Sequence, residues 1–290
     1  MAFSIKDLYF KILDFEKILY FETILDFKAE DFFESVIKKW IVENDYKNYI
    51  SNISNKISGR KNELLQEDIW ELYALSRVLD LLTLPFQTDN DADDSDWKGP
   101  RITVAEYIEF NNLLGLEINT PFSFKPFNCE IIEAQIGMND FEIIECNFPA
   151  VKLNNLMIKK AGVKILLNPD KFNLNLINKA SIYWAFRRKN RKYFDLSQGW
   201  GSNSQWRTDL RLDIETENSY IYNVTGRFNL NSPTIELTEE LNQQDLELNE
   251  AVELTVFRHF MKCTKDDSDL FPYDFRFEEQ KVNRTRMIFI

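Results

Sequence analysis

Gln205-Trp206-Arg207-Thr208-Asp209-Leu210-Arg211-Leu212-Asp213-Ile214-Glu215 changes character at every step. In an extended chain successive side chains point to opposite faces. Trp206, Thr208, Leu210, Leu212 and Ile214 therefore fall on one side, and Gln205, Arg207, Asp209, Arg211, Asp213 and Glu215 on the other. The alternation predicts a half-buried antiparallel strand with a solvated ladder of mixed charge. Asp209, Asp213 and Glu215 share that ladder with Arg207 and Arg211, so surface salt pairing is the expected fate of these carboxylates. The Glu217-Asn218-Ser219 turn should return the chain into a second strand over Tyr220–Val224.

Working back from this strand, residues 116–235 read as short strands. Glu130-Ile131-Ile132-Glu133 is echoed at Glu142-Ile143-Ile144-Glu145, with Gly137, Asn139 and Asp140 between, and the pair predicts a hairpin. Further back the period changes to that of helices. Ile5, Leu8, Tyr9, Ile12 and Leu13 form one apolar stripe, and others fall within 29–43, 46–57 and 63–83. Thr103 and Glu106 have capping-box spacing for a helix that Gly115 would stop. Forward of the strand, a helix is expected over 237–262, and the apolar end Met287-Ile288-Phe289-Ile290 reads as a last strand. Helices, then strands, then a helix make an α+β chain. It has an N-terminal helical region, a mainly antiparallel sheet and a further helix near the C-terminus. The expected organisation is a helical subdomain at 1–84, an acidic loop at 85–101 and an α+β domain at 102–290, packed as one compact unit.

The 290 residues are 44% hydrophobic and 14% aromatic, enough to bury a substantial core. No stretch approaches the ~20 apolar residues of a membrane helix, and charges at Asp7, Lys11 and Asp14 interrupt any signal-peptide pattern. Cys129, Cys146 and Cys263 are odd in number and widely spaced, which fits buried thiols in a reducing compartment, the cytoplasm. Net charge is −12, unevenly spread: residues 151–200 carry 11 Lys/Arg against 2 Asp/Glu, while the remainder is strongly acidic. Such an acidic body opposes binding to nucleic acid or anionic membranes and favours a basic protein partner.

No catalytic signature emerges. Asp89, Asp91 and Asp93 start like a calcium loop, but Asp94 stands where the loop needs glycine and Pro100 where it needs a bidentate glutamate. The run Asp89, Asp91, Asp93, Asp94, Asp96 is better read as a partner-facing acidic loop. His259 is the one histidine, which rules out multi-histidine zinc, and it fits the end of a helix. Phosphate-cradling glycine motifs are absent. Arg187, Arg188 and Arg191 belong to a basic turn between aromatic segments, a string that suits a structural turn, a protein contact or nucleic-acid stacking. Trp200 and Trp206 flank an amide-rich loop that offers aromatic anchors for an interface or pins itself to the core. No cofactor or metal is implied.

In character this mid-sized, acidic, aromatic-rich chain without catalytic motifs resembles the immunity proteins that neutralise bacterial toxins. The resemblance lies in composition and covers no defined motif. It implies a non-catalytic inhibitor that meets a basic protein with its acidic surface. The alternatives are a carboxylate-dependent hydrolase acting on a sugar or phosphoester, and nucleic-acid binding through the basic turn at 187–192.

Overall fold

The computed structural model describes residues 4–21, 32–58, 64–87, 99–179, 206, 209–262, 265 and 274–281. The first helices are α1 (Lys6–Phe21), α2 (Lys39–Asn44) entered through a π-helical turn at Phe33–Lys38, α3 (Tyr46–Ser58) and α4 (Gln66–Thr83). Their apolar stripes are those of the sequence: Ile5, just before α1, and Leu8, Tyr9 and Ile12 of α1 face a core with Trp40, Ile50, Ile53, Leu72 and Leu79. A carboxylate ties the layer together. Glu71 of α4 accepts from Ser4 Oγ (2.7 Å), from the Ile5 amide (2.6 Å) at the start of α1, and from Tyr46 Oη (2.9 Å). It thus satisfies an amide that the first turn of α1 leaves without a helical partner.

Helix α5 (Val104–Leu114) starts and stops as expected. Thr103 Oγ1 accepts from the Glu106 amide (3.2 Å), and Glu106 returns to the Thr103 amide (2.6 Å). Gly115 closes the helix at φ +75°, a conformation that favours glycine.

Two sheets follow. The larger has seven strands in the order β1-β4-β5-β7-β8-β10-β9, and the smaller has three, β2-β6-β3. The strands are β1 (Glu117–Asn119), β2 (Cys129–Ile136), β3 (Glu142–Phe148), β4 (Ala150–Leu153), β5 (Leu156–Lys159), β6 (Ala161–Leu167), β7 (Asp213–Glu215), β8 (Ser219–Tyr222), β9 (Phe228–Asn229) and β10 (Phe275–Gln280). Pairing is antiparallel except for β2 with β6 and β9 with β10. The class is α+β with a mostly antiparallel sheet.

The chain forms three layers. Val151, Leu153, Leu156 and Ile158 of β4 and β5 join the helical core. Ala150 and Met157, on the same strands, join a second core with Ile131, Val163, Ile165 and Leu167 of the small sheet. Helices α7 (Ile235–Gln243) and α8 (Leu248–Phe257) close a third core over β9 and β10. The short helix α6 (Leu174–Lys179) covers the edge of β2, where Asn178 exchanges two hydrogen bonds with the Ala134 backbone, at 2.7 and 3.1 Å.

Four expectations need correction. β2 and β3 do not form a hairpin: β6 lies between them, parallel to one and antiparallel to the other. The intervening residues 137–141 bend around β6, with the Gly137 amide on Leu167 O and the Phe141 amide on Leu166 O. The alternating stretch is a strand only at Asp213–Glu215 among its described residues. Asp213 is fully buried rather than on a solvated ladder, because Arg258 from beyond α8 converges on it together with Arg211, two residues before it. The helix expected over 237–262 is two helices, broken after Gln243, with Asp245 in the left-handed region. The proposed last strand at 287–290 lies outside the described residues. No described helix is long and apolar enough to cross a membrane.

Candidate functional site

The run Leu156-Met157-Ile158-Lys159-Lys160-Ala161-Gly162-Val163 places two lysines in the middle of an apolar segment, and both are buried. Burying a lysine is costly unless its ammonium finds a countercharge or acceptors. The two neighbours solve this separately, and each becomes the centre of a polar cluster.

Lys159 reaches Asp80 Oδ1 on α4 (3.2 Å) and Glu130 Oε1 on β2 (3.1 Å), and lies over the Phe148 ring at 5.4 Å. Arg77, one helical turn before Asp80, holds its other oxygen (2.8 Å). Two cations and two carboxylates thus balance inside the molecule and link the helical layer to both sheets. Burial raises the pKa of Asp80, against the opposing pull of Lys159 and Arg77. Tyr107 of α5 is buried beside this group, and desolvation, aided by the charge on Glu130, pushes its hydroxyl well above the ordinary range.

Lys160 turns to a second cluster. Its ammonium donates to Pro126 O (2.6 Å) and Val256 O (3.0 Å) and lies over Tyr222 at 5.5 Å. Desolvation, with repulsion from Arg258, carries its pKa well below the usual lysine value. Nearby, Asp213 accepts from Arg211 Nε (2.6 Å), from the Asn223 amide (2.8 Å) and from Arg258 Nη2 (3.3 Å). Arg211 also donates to Thr255 O. Burial alone would raise the Asp213 pKa, but Arg211, Arg258 and Lys160 outweigh it and hold the carboxyl below its ordinary value. Three cations around one carboxylate bind the end of α8 to β7 and β8.

At the surface the pattern reverses. Asp7, Asp14, Glu34, Glu67, Glu117, Glu142, Glu217, Glu236, Glu239 and Glu247 are exposed. Most described cations of 151–200 are instead buried or ion-paired: Lys152 to Glu215 (2.6 Å), Lys164 to Glu145 (2.9 Å) and Lys171 to Asp140 (2.7 Å), besides Lys159 and Lys160.

Of the residues singled out from sequence, Asp89, Asp91, Asp93, Asp94, Asp96, Arg187, Arg188, Arg191 and Trp200 lie outside the described residues. The flanks of the acidic loop are described. Gln87 donates its amide to Leu84 O, and a Cβ at Gly99 would collide with Leu84 and Pro85, so both ends of 88–98 are rooted at one turn. Trp206 is 8% exposed and packs edge-on against Tyr9 (4.9 Å) and Phe10 (5.5 Å) of α1, so its ring pins the chain to the core. Asp209 accepts from Trp70 Nε1 (3.0 Å) and from Gln66, while Glu215 pairs with Lys152 (2.6 Å) and Lys281 (2.9 Å). His259 lies just past the end of α8, is buried, and has Nδ1 3.0 Å from Phe260 O. Cys129 is buried, and desolvation raises its thiol to about 11; Cys146 is half-buried.

The buried lysines, Glu71 and the Asp213 cluster escaped the sequence reading. Lys159-Lys160 inside an apolar run was the available signal, since lysine is rarely fully buried without partners. As chemistry, both clusters work as ionic cross-links: Asp80 meets nearby Arg77 and distant Lys159, Glu130 meets Lys159, and Asp213 meets nearby Arg211 and distant Arg258. Among the described residues no group of three or more His, Cys, Asp or Glu could hold a metal ion. Compared with known proteins, the chain matches no family model, no curated protein and no solved structure.

Proposed function

We propose that this chain is a non-catalytic binding protein of the cytoplasm that holds a basic protein on its acidic surface, as an immunity-type inhibitor does. The observation that supports this reading is the partition of charge. Most described cations of the middle segment are drawn into the interior or into ion pairs, and among the described exposed ionisable residues carboxylates outnumber cations about two to one. A surface of this kind raises the encounter rate with a basic partner and repels acidic ones. The Asp89–Asp96 run adds five carboxylates to the same sign of field, and the acidic body disfavours nucleic acid as the partner. A carboxylate-dependent hydrolase would need an acid or base with a face left for substrate; Asp80, Glu130 and Asp213 are each engaged by buried cations.

Affinity capture from the native host at low and high salt tests the reading. The expected result is one stoichiometric basic protein, retained at low salt and released at high salt. Recovery of no stable partner, or only of acidic proteins, would contradict it.

A further inference from the structure

Large apolar side chains exposed to water as a group mark contact surfaces. Among the described residues Ile136 (75% exposed), Met138 (94%) and Ile144 (44%) fall within one stretch, at the end of the small sheet remote from the helical layer. Met138 lies in the bend around β6, Ile136 ends β2, and Ile144 occupies a bulge in β3, where it has no register partner on β6. Phe122 is also fully exposed, two residues before Phe124, whose ring stacks on Phe141 of the same bend at 4.9 Å.

Around it carboxylates outnumber ammonium groups: Glu133, Asp140, Glu142 and Glu145 stand with Lys164 and with Lys171, which is bound to Asp140 of the bend. Glu133, Lys164 and Glu145 stand opposite one another on β2, β6 and β3, two carboxylates around one ammonium at 3.8 and 2.9 Å. Glu142, next along β3, is exposed and its described side-chain partner is the neutral amide of Asn139 (3.3 Å). β3 is also the outer strand of its sheet, whereas the opposite edge, β2, is covered by Asn178 of α6. An apolar centre with an acidic border complements a segment that carries apolar anchors among lysines and arginines.

We infer that the tip of the small sheet, formed by Ile136, Met138, Glu142 and Ile144, is the surface that docks the basic partner. The inference rests on the proposed function and locates it. The partner's apolar side chains cover Met138 and Ile136, and its cations meet Glu142 and Glu145. The two bulges of β3 hinder simple strand addition, so side chains rather than backbone ladders carry the contact.

The test uses the full chain and a fluorescent peptide of alternating lysine and valine, with a glutamate–valine peptide as control, read by anisotropy at about 50 mM salt. Three variants are compared with the wild type: I136S/M138S, E142K, and E236K/E239K on α7 as a distant charge reversal. The expected result is binding of the lysine peptide alone, weakened at least tenfold by I136S/M138S and by E142K and less than threefold by E236K/E239K. All the substituted positions are exposed, and unchanged circular dichroism and melting confirm that the variants fold. Loss of binding in E236K/E239K with full binding in the other two would overturn the location while leaving the acidic-surface reading standing. Absence of wild-type binding to the lysine peptide, or equal binding of both peptides, would overturn both.

Discussion

Around Asp213, Arg211 and Arg258 donate to one buried carboxylate and Lys160 adds its field. Removing the charge leaves buried Arg258 and Lys160 and half-buried Arg211 without their counterion, so Asp213→Asn is expected to cost about 3–5 kcal/mol of folding stability, measurable by urea denaturation. The pH sign follows from the depressed pKa. The folded carboxyl stays ionised below the unfolded range, so its contribution is complete above that range and is lost as pH falls through the folded value. Lys160 has the opposite relation. Its folded pKa lies well below 10.5, so the folded state binds fewer protons than the unfolded one between the two values. Stability should therefore rise with pH as the ordinary lysine value is approached. In Lys160→Met that rise should flatten, whatever the absolute stability of the variant; an unchanged slope across the alkaline range would count against a depressed folded pKa at Lys160.

Among the elements, those written locally were the most legible. The stripe of α1 and the cap and stop of α5 depend on residues a turn apart, and the structure has them as the sequence indicates. Thr103→Ala should cost about 1 kcal/mol through the lost cap, seen as a lowered denaturation midpoint. Strand order was not local. The Glu130–Glu133 and Glu142–Glu145 echo looks like a hairpin because nothing nearby shows that β6, twenty residues later, will enter between the two strands. Close packing at that insertion yields another test: a Cβ at Gly162 of β6 would run into the Phe148 ring on β3. Gly162→Ala should destabilise by about 1–3 kcal/mol and lower the thermal midpoint. The candidate site was legible only in composition. Asp213 sits in an alternating pattern that normally faces water, yet the side chains that bury it come from Lys160 and Arg258, fifty-odd residues before and forty-odd after. Trp206, equally readable as an interface anchor or a core pin, is fixed as the latter by Tyr9 and Phe10, far away in sequence.

At the scale of the whole molecule, net charge −12 and the burial of Lys159, Lys160 and Arg258 leave carboxylates in excess over cations among the described exposed residues, around a framework cross-linked by both signs. Such a field acts before contact. Raising salt screens it over a Debye length of about 10 Å at 0.1 M, and it governs how often partners meet more than how long they stay. The measurement that tests this account most directly is the association rate constant with the captured partner as a function of ionic strength. The expected rate falls steeply with salt while dissociation changes little. An association rate independent of salt, or one that rises with it, would contradict the claim that the acidic surface recruits a basic protein.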